Sequence, residues 1–417
     1  MKRIVRIGRA LLLGGLLTEL NGQITLIRDS IQMGAGYAKQ VYYSLQNGIV
    51  DTAPAAGWHL AFEIPIRGAA IRANTAREVI IYRTNRDTSG WNVLSLSDTL
   101  ERLYDDLCRW EKGALNQTAA PNNPFDVGWG TYNLTTHITT GDSLYIIRLP
   151  GGMYKKLWIQ RLEGTSYYVR VANLDGSEDT VYQVQKTQAS GRNFVYLNLV
   201  TKQVLNLEPL STSWDIVFTP YTAFIPPAGT PYPVIGVLQN IGVKATRIPL
   251  PRTANPDTLT IGAYPLDSCI SRVGYDWKRF DMTTNSWVLA DTVYYLVQDK
   301  SRNIWRLRFV GFTGSSTGKA IFEKALLQNA SLLHAPTFGK EIKIFPQPAQ
   351  TGFFILLPHP EEVEICLYTL QGQLLYYSKE SAQETFFVAR PTMASEGLYI
   401  LQISSKAGLW RSKVIFE

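Results

Sequence analysis

The chain has 417 residues, room for two to four domains at roughly 100–200 residues each. With 45 % apolar, 12 % aromatic and 18 % charged residues, it is neither disordered nor a coiled coil, and its Tyr, Trp, Thr and Val content points to β structure. The formal charge of +7 includes Lys2, Arg3, Arg6 and Arg9 against Glu19; without them about +4 remains, spread with no basic run, which argues against a nucleic-acid partner.

In chain order, a basic start precedes the short apolar stretch Ala10–Leu17, the pattern of a secretory signal peptide over residues 1–22, with cleavage expected after Gly22. That stretch is too short to span a bilayer, and no later one is long enough. Leu100, Leu103, Tyr104, Leu107 and Cys108 fall at helical spacing, so an amphipathic helix is expected over roughly Ser97–Leu115. Cys108 and Cys269 allow either a disulfide in an oxidising compartment or two buried thiols, the latter being the simpler reading. Cys366 stands apart.

Three blocks recur in the same order. Val41-Tyr-Tyr-Ser-Leu45 with Trp58-His-Leu-Ala-Phe62 returns as Val195-Tyr-Leu-Asn-Leu199 with Trp214-Asp-Ile-Val-Phe218. Trp129-Gly-Thr-Tyr-Asn-Leu-Thr-Thr-His137 returns as Trp277-Lys-Arg-Phe-Asp-Met-Thr-Thr-Asn285, and the Tyr145 segment returns at Tyr295. A repeat of about 150 residues follows, with copies at 36–190 and 191–332. Alternation such as Trp305, Leu307 and Phe309 has period two, so each copy reads as mostly antiparallel β. Trp58 and Trp214 read as core anchors. His59 facing Asp215 across the copies argues against shared catalysis there.

From residue 339 the character changes. Lys340-Glu-Ile-Lys-Ile-Phe-Pro-Gln-Pro-Ala349, Glu364–Gln373, Glu396–Ile403 and Trp410–Phe416 alternate short strands with Pro, Gly and Ser turns, so about seven strands in a small Ig-like β-sandwich are expected over 339–417. The fold class is then mostly β: two antiparallel β modules in tandem and a C-terminal sandwich.

Two resemblances attach to these motifs. The paired blocks, with Tyr232–Asn240, Val273–Lys278 and Trp305–Phe312, resemble the HmuY-like haem-binding family of bacterial secreted proteins. Residues 339–417 resemble the type A C-terminal sorting domain of the type IX secretion system, with Phe345-Pro-Gln-Pro-Ala349 where the family has Tyr-Pro-Asn-Pro-Ala. The second resemblance implies passage across the outer membrane, contact with the secretion machinery, and a mature protein held at the surface or released.

The sequence lacks His-Glu-x-x-His, Gly-x-Ser-x-Gly and a P-loop; Gly314-Ser-Ser-Thr-Gly-Lys319 reads as a hairpin turn. A non-enzymatic protein is expected. Haem, implied by the first resemblance, would need axial ligands. His137 lies where that family keeps one axial His. Its counterpart is Asn285, beside which Met282 offers a thioether. The plainer roles are a hairpin residue for His137 and core filling for Met282. His334 and His359 look incidental. The alternative to haem capture for iron acquisition is a non-haem surface-binding module for a glycan or protein ligand, on aromatics such as Tyr154, Trp158, Tyr167 and Tyr168.

Overall fold

A computed structural model describes residues 25–65, 67–259, 261–328, 342–405 and 408–417. The expected signal peptide, the boundaries at 332 and 339, and His334 lie outside the described residues. The described chain is mostly β, with 3-10 turns between strands.

The packing units and the sequence repeats do not coincide. One hydrophobic core gathers side chains from Leu60 to Leu199, among them Phe62, Ile71, Trp129, Tyr145, Leu157, Tyr167 and Val195. A second core takes Ile31, Met33, Val41, Tyr43 and Leu45 from the N-terminal segment and Ile216 to Phe322 from the far end. The first packing unit is therefore continuous, and it is inserted into the second. The copies 36–190 and 191–332 each contribute to both.

Strand register shows how. Each repeat opens with a hairpin that pairs with the other repeat's Trp-led strand. The strand Lys39–Ser44 lies antiparallel to Ile216–Ile225, with Tyr43 opposite Ile216 and Val41 opposite Phe218. In the other repeat Phe194–Asn198 lies against Leu60–Glu63, with Leu197 opposite Leu60 and Val195 opposite Phe62. The exchange is reciprocal.

Matching side chains fasten both junctions. His59 N–H donates to the Leu197 carbonyl at 2.9 Å, and the Leu199 N–H donates to His59 Nδ1 at 2.8 Å. Asp215 N–H donates to the Tyr43 carbonyl at 2.9 Å, and the Leu45 N–H donates to Asp215 Oδ2 at 2.8 Å. One amide sits beside each: Asn74 Nδ2 donates to the Ala55 and Trp58 carbonyls, Asn240 Nδ2 to those of Ser211 and Trp214. All four side chains are buried, where an unmade backbone hydrogen bond costs about 1–3 kcal/mol. The His-for-Asp difference is thus one acceptor in place of another.

Two four-stranded sheets result, and period-two alternation gives each a second apolar face. Their inner faces fill the two cores against an eight-stranded and a five-stranded sheet. Their outer faces meet. Tyr42 packs edge-on to Trp214 and Tyr196 edge-on to Trp58, both at 5.0 Å between centroids. Trp110 lies in both clusters and donates its indole N–H to the Gln239 carbonyl at 2.7 Å. Trp58 and Trp214 are anchors as expected, but of the contact between units.

The expected helix over Ser97–Leu115 does not form. The segment holds a 3-10 turn at Leu96–Asp98, the strand Thr99–Leu103 and a 3-10 turn at Ala114–Asn116. Its strand completes a sheet edge on Ile80–Asp87. Beyond it, Asp106 Oδ1 accepts the N–H groups of Cys108 and Arg109, local bonds that compete with helix, and Asp105 accepts those of Ala114 and of the distant Ala73. This loop carries Cys108 to Cys269, and the two form a disulfide rather than buried thiols. Closing a separation of 161 residues removes on the order of 5 kcal/mol of chain entropy from the unfolded state.

Among the described residues the C-terminal region has five strands, fewer than the seven expected, because two are long: Gly352–Tyr368 and Leu374–Ala389. Their register breaks between Leu356 and Glu361. Phe353, Ile365, Leu401, Val414 and Phe416 form its own core.

Burial pushes His59 down to about 4 from its ordinary 6.5. Between those values the unfolded chain holds a proton the folded chain does not, so this stability is lost as pH falls from 6.5 towards 4. His59→Asn keeps an acceptor and removes the titration. Its melting temperature, followed by circular dichroism, is expected to fall less over that window than that of the wild type; parallel curves would remove the clamp role.

Candidate functional site

The sequence-derived candidates sit at hairpin tips. His137 closes the turn between Gly130–Tyr132 and Ile138–Gly141; it is exposed, has φ 57°, and its Nδ1 lies 2.7 Å from the Tyr132 hydroxyl. Asn285, its counterpart, has φ 49° between Lys278–Asp281 and Ser286–Leu289. The turns share a design. Asn133 Oδ1 accepts the N–H groups of Thr135 and Thr136, and Asp281 Oδ1 those of Thr283 and Thr284. His and Asn both tolerate the left-handed conformation the fifth position requires. Met282 is 85 % exposed, so it does not fill a core. Neither His137 nor Met282 lines the contact cavity or the groove described below. Of the proposed exposed aromatics, Tyr167 is fully buried, and Tyr154 and Trp158 are half-buried in a cluster with Trp91. Among the described residues, no group of three or more His, Cys, Asp or Glu could hold a metal ion.

Between the two units lies a cavity edged by Trp58, Trp214, Tyr42, Tyr196, Arg72 and Glu208. Burial pushes Glu208 up to about 8. The space is about 80 Å³, enough for a few waters and too small for a typical ligand.

The second unit carries a larger opening, of about 690 Å³. One wall is a hairpin arm, Ile216–Ile225 with Thr230–Gln239, paired along its whole length. The same hairpin in the first unit is only Leu60–Glu63 with Ile71–Ala73. The arm outruns the core: Ile216, Phe218 and Val237 are inside, while Phe224 and Tyr232 are 42 % and 61 % exposed. Pro231 and Pro233 remove two N–H donors from its edge, which blocks strand addition there. The opposite wall is the hairpin Lys278–Asp281 with Ser286–Leu289, where Phe280 and Trp287 face each other edge-on at 5.3 Å. Tyr37, stacked on Phe312, closes one end.

Lys278 forms the floor. Its ammonium donates to the Ile235 carbonyl at 2.5 Å and the Tyr275 carbonyl at 3.5 Å. It lies 4.0 Å from the Trp277 ring, 4.6 Å from Phe312 and 5.8 Å from Trp287. Burial lowers it from 10.5 to about 7, against a smaller upward pull from Asp276. In the first unit this position is Gly130, where a Cβ would meet the Thr140 carbonyl at 2.4 Å. The groove therefore belongs to the second unit alone. A sequence signal existed: Trp214 to Asn240 spans ten residues more than Trp58 to Asn74.

Residues 343–417 match the family model described as a secretion system C-terminal sorting domain. No curated protein matches the chain. The sorting domain marks a protein exported across the outer membrane to the cell surface or beyond, with the secretion machinery as a partner. Among the described residues no helix is long and apolar enough to cross a membrane.

Between pH 7 and 10.5 the unfolded chain holds the Lys278 proton that the folded chain has released, so stability rises with pH across that window. Lys278→Met removes this slope. The melting temperature of the wild type relative to the variant is expected to climb from pH 7 to pH 10; a constant difference would contradict the buried-amine assignment.

Proposed function

We propose that this exported protein is a non-catalytic binding protein whose aromatic groove seats a saccharide. One observation carries the reading: an open groove of about 690 Å³, within the usual range for ligand sites, walled by exposed Tyr232 and Phe280 on two separate hairpins. Flat aromatic faces suit the apolar faces of sugar rings, and rigid strand pairs hold them at low entropic cost. The lining has no carboxylate and no His to act as acid or base. Lys278 is buried with its ammonium engaged by two carbonyls, so it supports the walls rather than acting as a nucleophile.

Haem capture is the second reading. Its support is the resemblance of the repeats together with one local feature: the Tyr132 hydroxyl engages Nδ1 of His137, leaving Nε2 as the nitrogen for iron. Met282 would be the corresponding donor of the other unit.

On a glycan array the wild-type protein is expected to bind, and Tyr232→Ala to bind at least about tenfold more weakly with an unchanged fold. Equal binding by the variant would remove the groove. Haemin titration separates the readings: no shifted Soret band is expected, and a band that His137→Ala abolishes would put haem first.

A further inference from the structure

We propose that the saccharide taken by the groove is an acidic one, with its carboxylate or sulfate held by Arg279 while its ring lies on Tyr232 and Phe280. This rests on the reading of the groove as a saccharide site and adds its chemical class. The lining holds two basic side chains, the buried Lys278 and the exposed Arg279, and no Asp or Glu. The nearby carboxylates are committed elsewhere. Asp276 pairs with Arg247 at 2.5 Å, and Asp281 accepts the backbone N–H groups of its own turn. The Arg279 side chain is 71 % exposed and 3.9 Å from Asp281, a loose pair that leaves most of the guanidinium's donors available. Arg at the rim of an apolar groove offers a planar fork that fits a carboxylate or sulfate with two parallel bonds.

An acidic peptide would satisfy the charge but not the edge. A peptide in such a groove gains most from pairing its backbone with a sheet edge, and Pro231 and Pro233 remove the donors that pairing needs. Sugar rings have no such requirement. The first unit has neither the long arm nor a cation at Gly130, so one acidic ligand per chain is expected.

The test uses the whole exported chain on matched pairs: polyuronates beside their methyl esters, and sialosides beside their asialo forms. The acidic members are expected to bind about tenfold more tightly than their neutral partners, and Arg279→Gln to erase that preference, the ratio of acidic to neutral binding falling to about one. Tyr232→Ala should weaken both members alike. Equal binding of acidic and neutral members would overturn the acidic assignment and leave the saccharide reading standing. Silence of both would overturn the saccharide reading itself. Stronger binding of a poly-glutamate peptide, lost in Arg279→Gln, would replace the saccharide with a peptide.

Discussion

The two-unit body depends on two backbone junctions closed between residues more than 100 positions apart. In each, the strand after a tryptophan receives the opening hairpin of the other repeat, and one buried side chain accepts the amide where that hairpin leaves the sheet. Neither core is complete without its borrowed hairpin. The second lacks Ile31, Met33, Val41, Tyr43 and Leu45 until the chain's first described strands return to it. The same pairing sets the outer faces of two sheets against each other, which is where Trp58, Trp214, Tyr42 and Tyr196 meet.

That arrangement frees the ends of the body for different uses. The contact between units is fastened by aromatic pairs, by Trp110 and by the Cys108–Cys269 disulfide. With the base of the hairpin Ile216–Gln239 held by its neighbour strand and by Asn240, its outer half runs along the first unit, where Phe224 lies edge-on to Tyr104 at 5.5 Å and the Thr222 hydroxyl is 2.8 Å from that of Thr75. The first unit has no equivalent arm. The longer hairpin of the second unit accounts for a groove there and a plain edge on the first.

Much of this was legible in the sequence, for physical reasons. Repeated tryptophans and period-two alternation report burial on one face, and burial is what a strand pattern encodes. The terminal motifs, ending in Trp410–Phe416, marked the sorting domain, which the family match supports at 343–417. What was not legible is pairing across distance. Periodicity cannot say which hairpin meets which strand, so the sequence alone reads as tandem modules and leaves Cys108 and Cys269 open between a disulfide and two buried thiols. The apolar spacing around Leu100–Cys108 imitated a helix because a strand and an Asx-rich loop shared it. His137 stands out through the haem-binding resemblance, whereas its position is set by a left-handed turn that Asn285 fills equally well. The groove was signalled only by ten extra residues between Trp214 and Asn240, several of them prolines.

The reciprocal exchange is tested most directly by dividing the chain along packing rather than along sequence repeats. A fragment of residues 56–209 contains every side chain of the first core and is expected to unfold cooperatively alone, with near-ultraviolet dichroism from its buried Trp129. A fragment of residues 210–328 is expected to show no cooperative transition until a peptide of residues 25–55 is added, which should restore it in a one-to-one complex. Cooperative unfolding of 210–328 without that peptide would contradict the account.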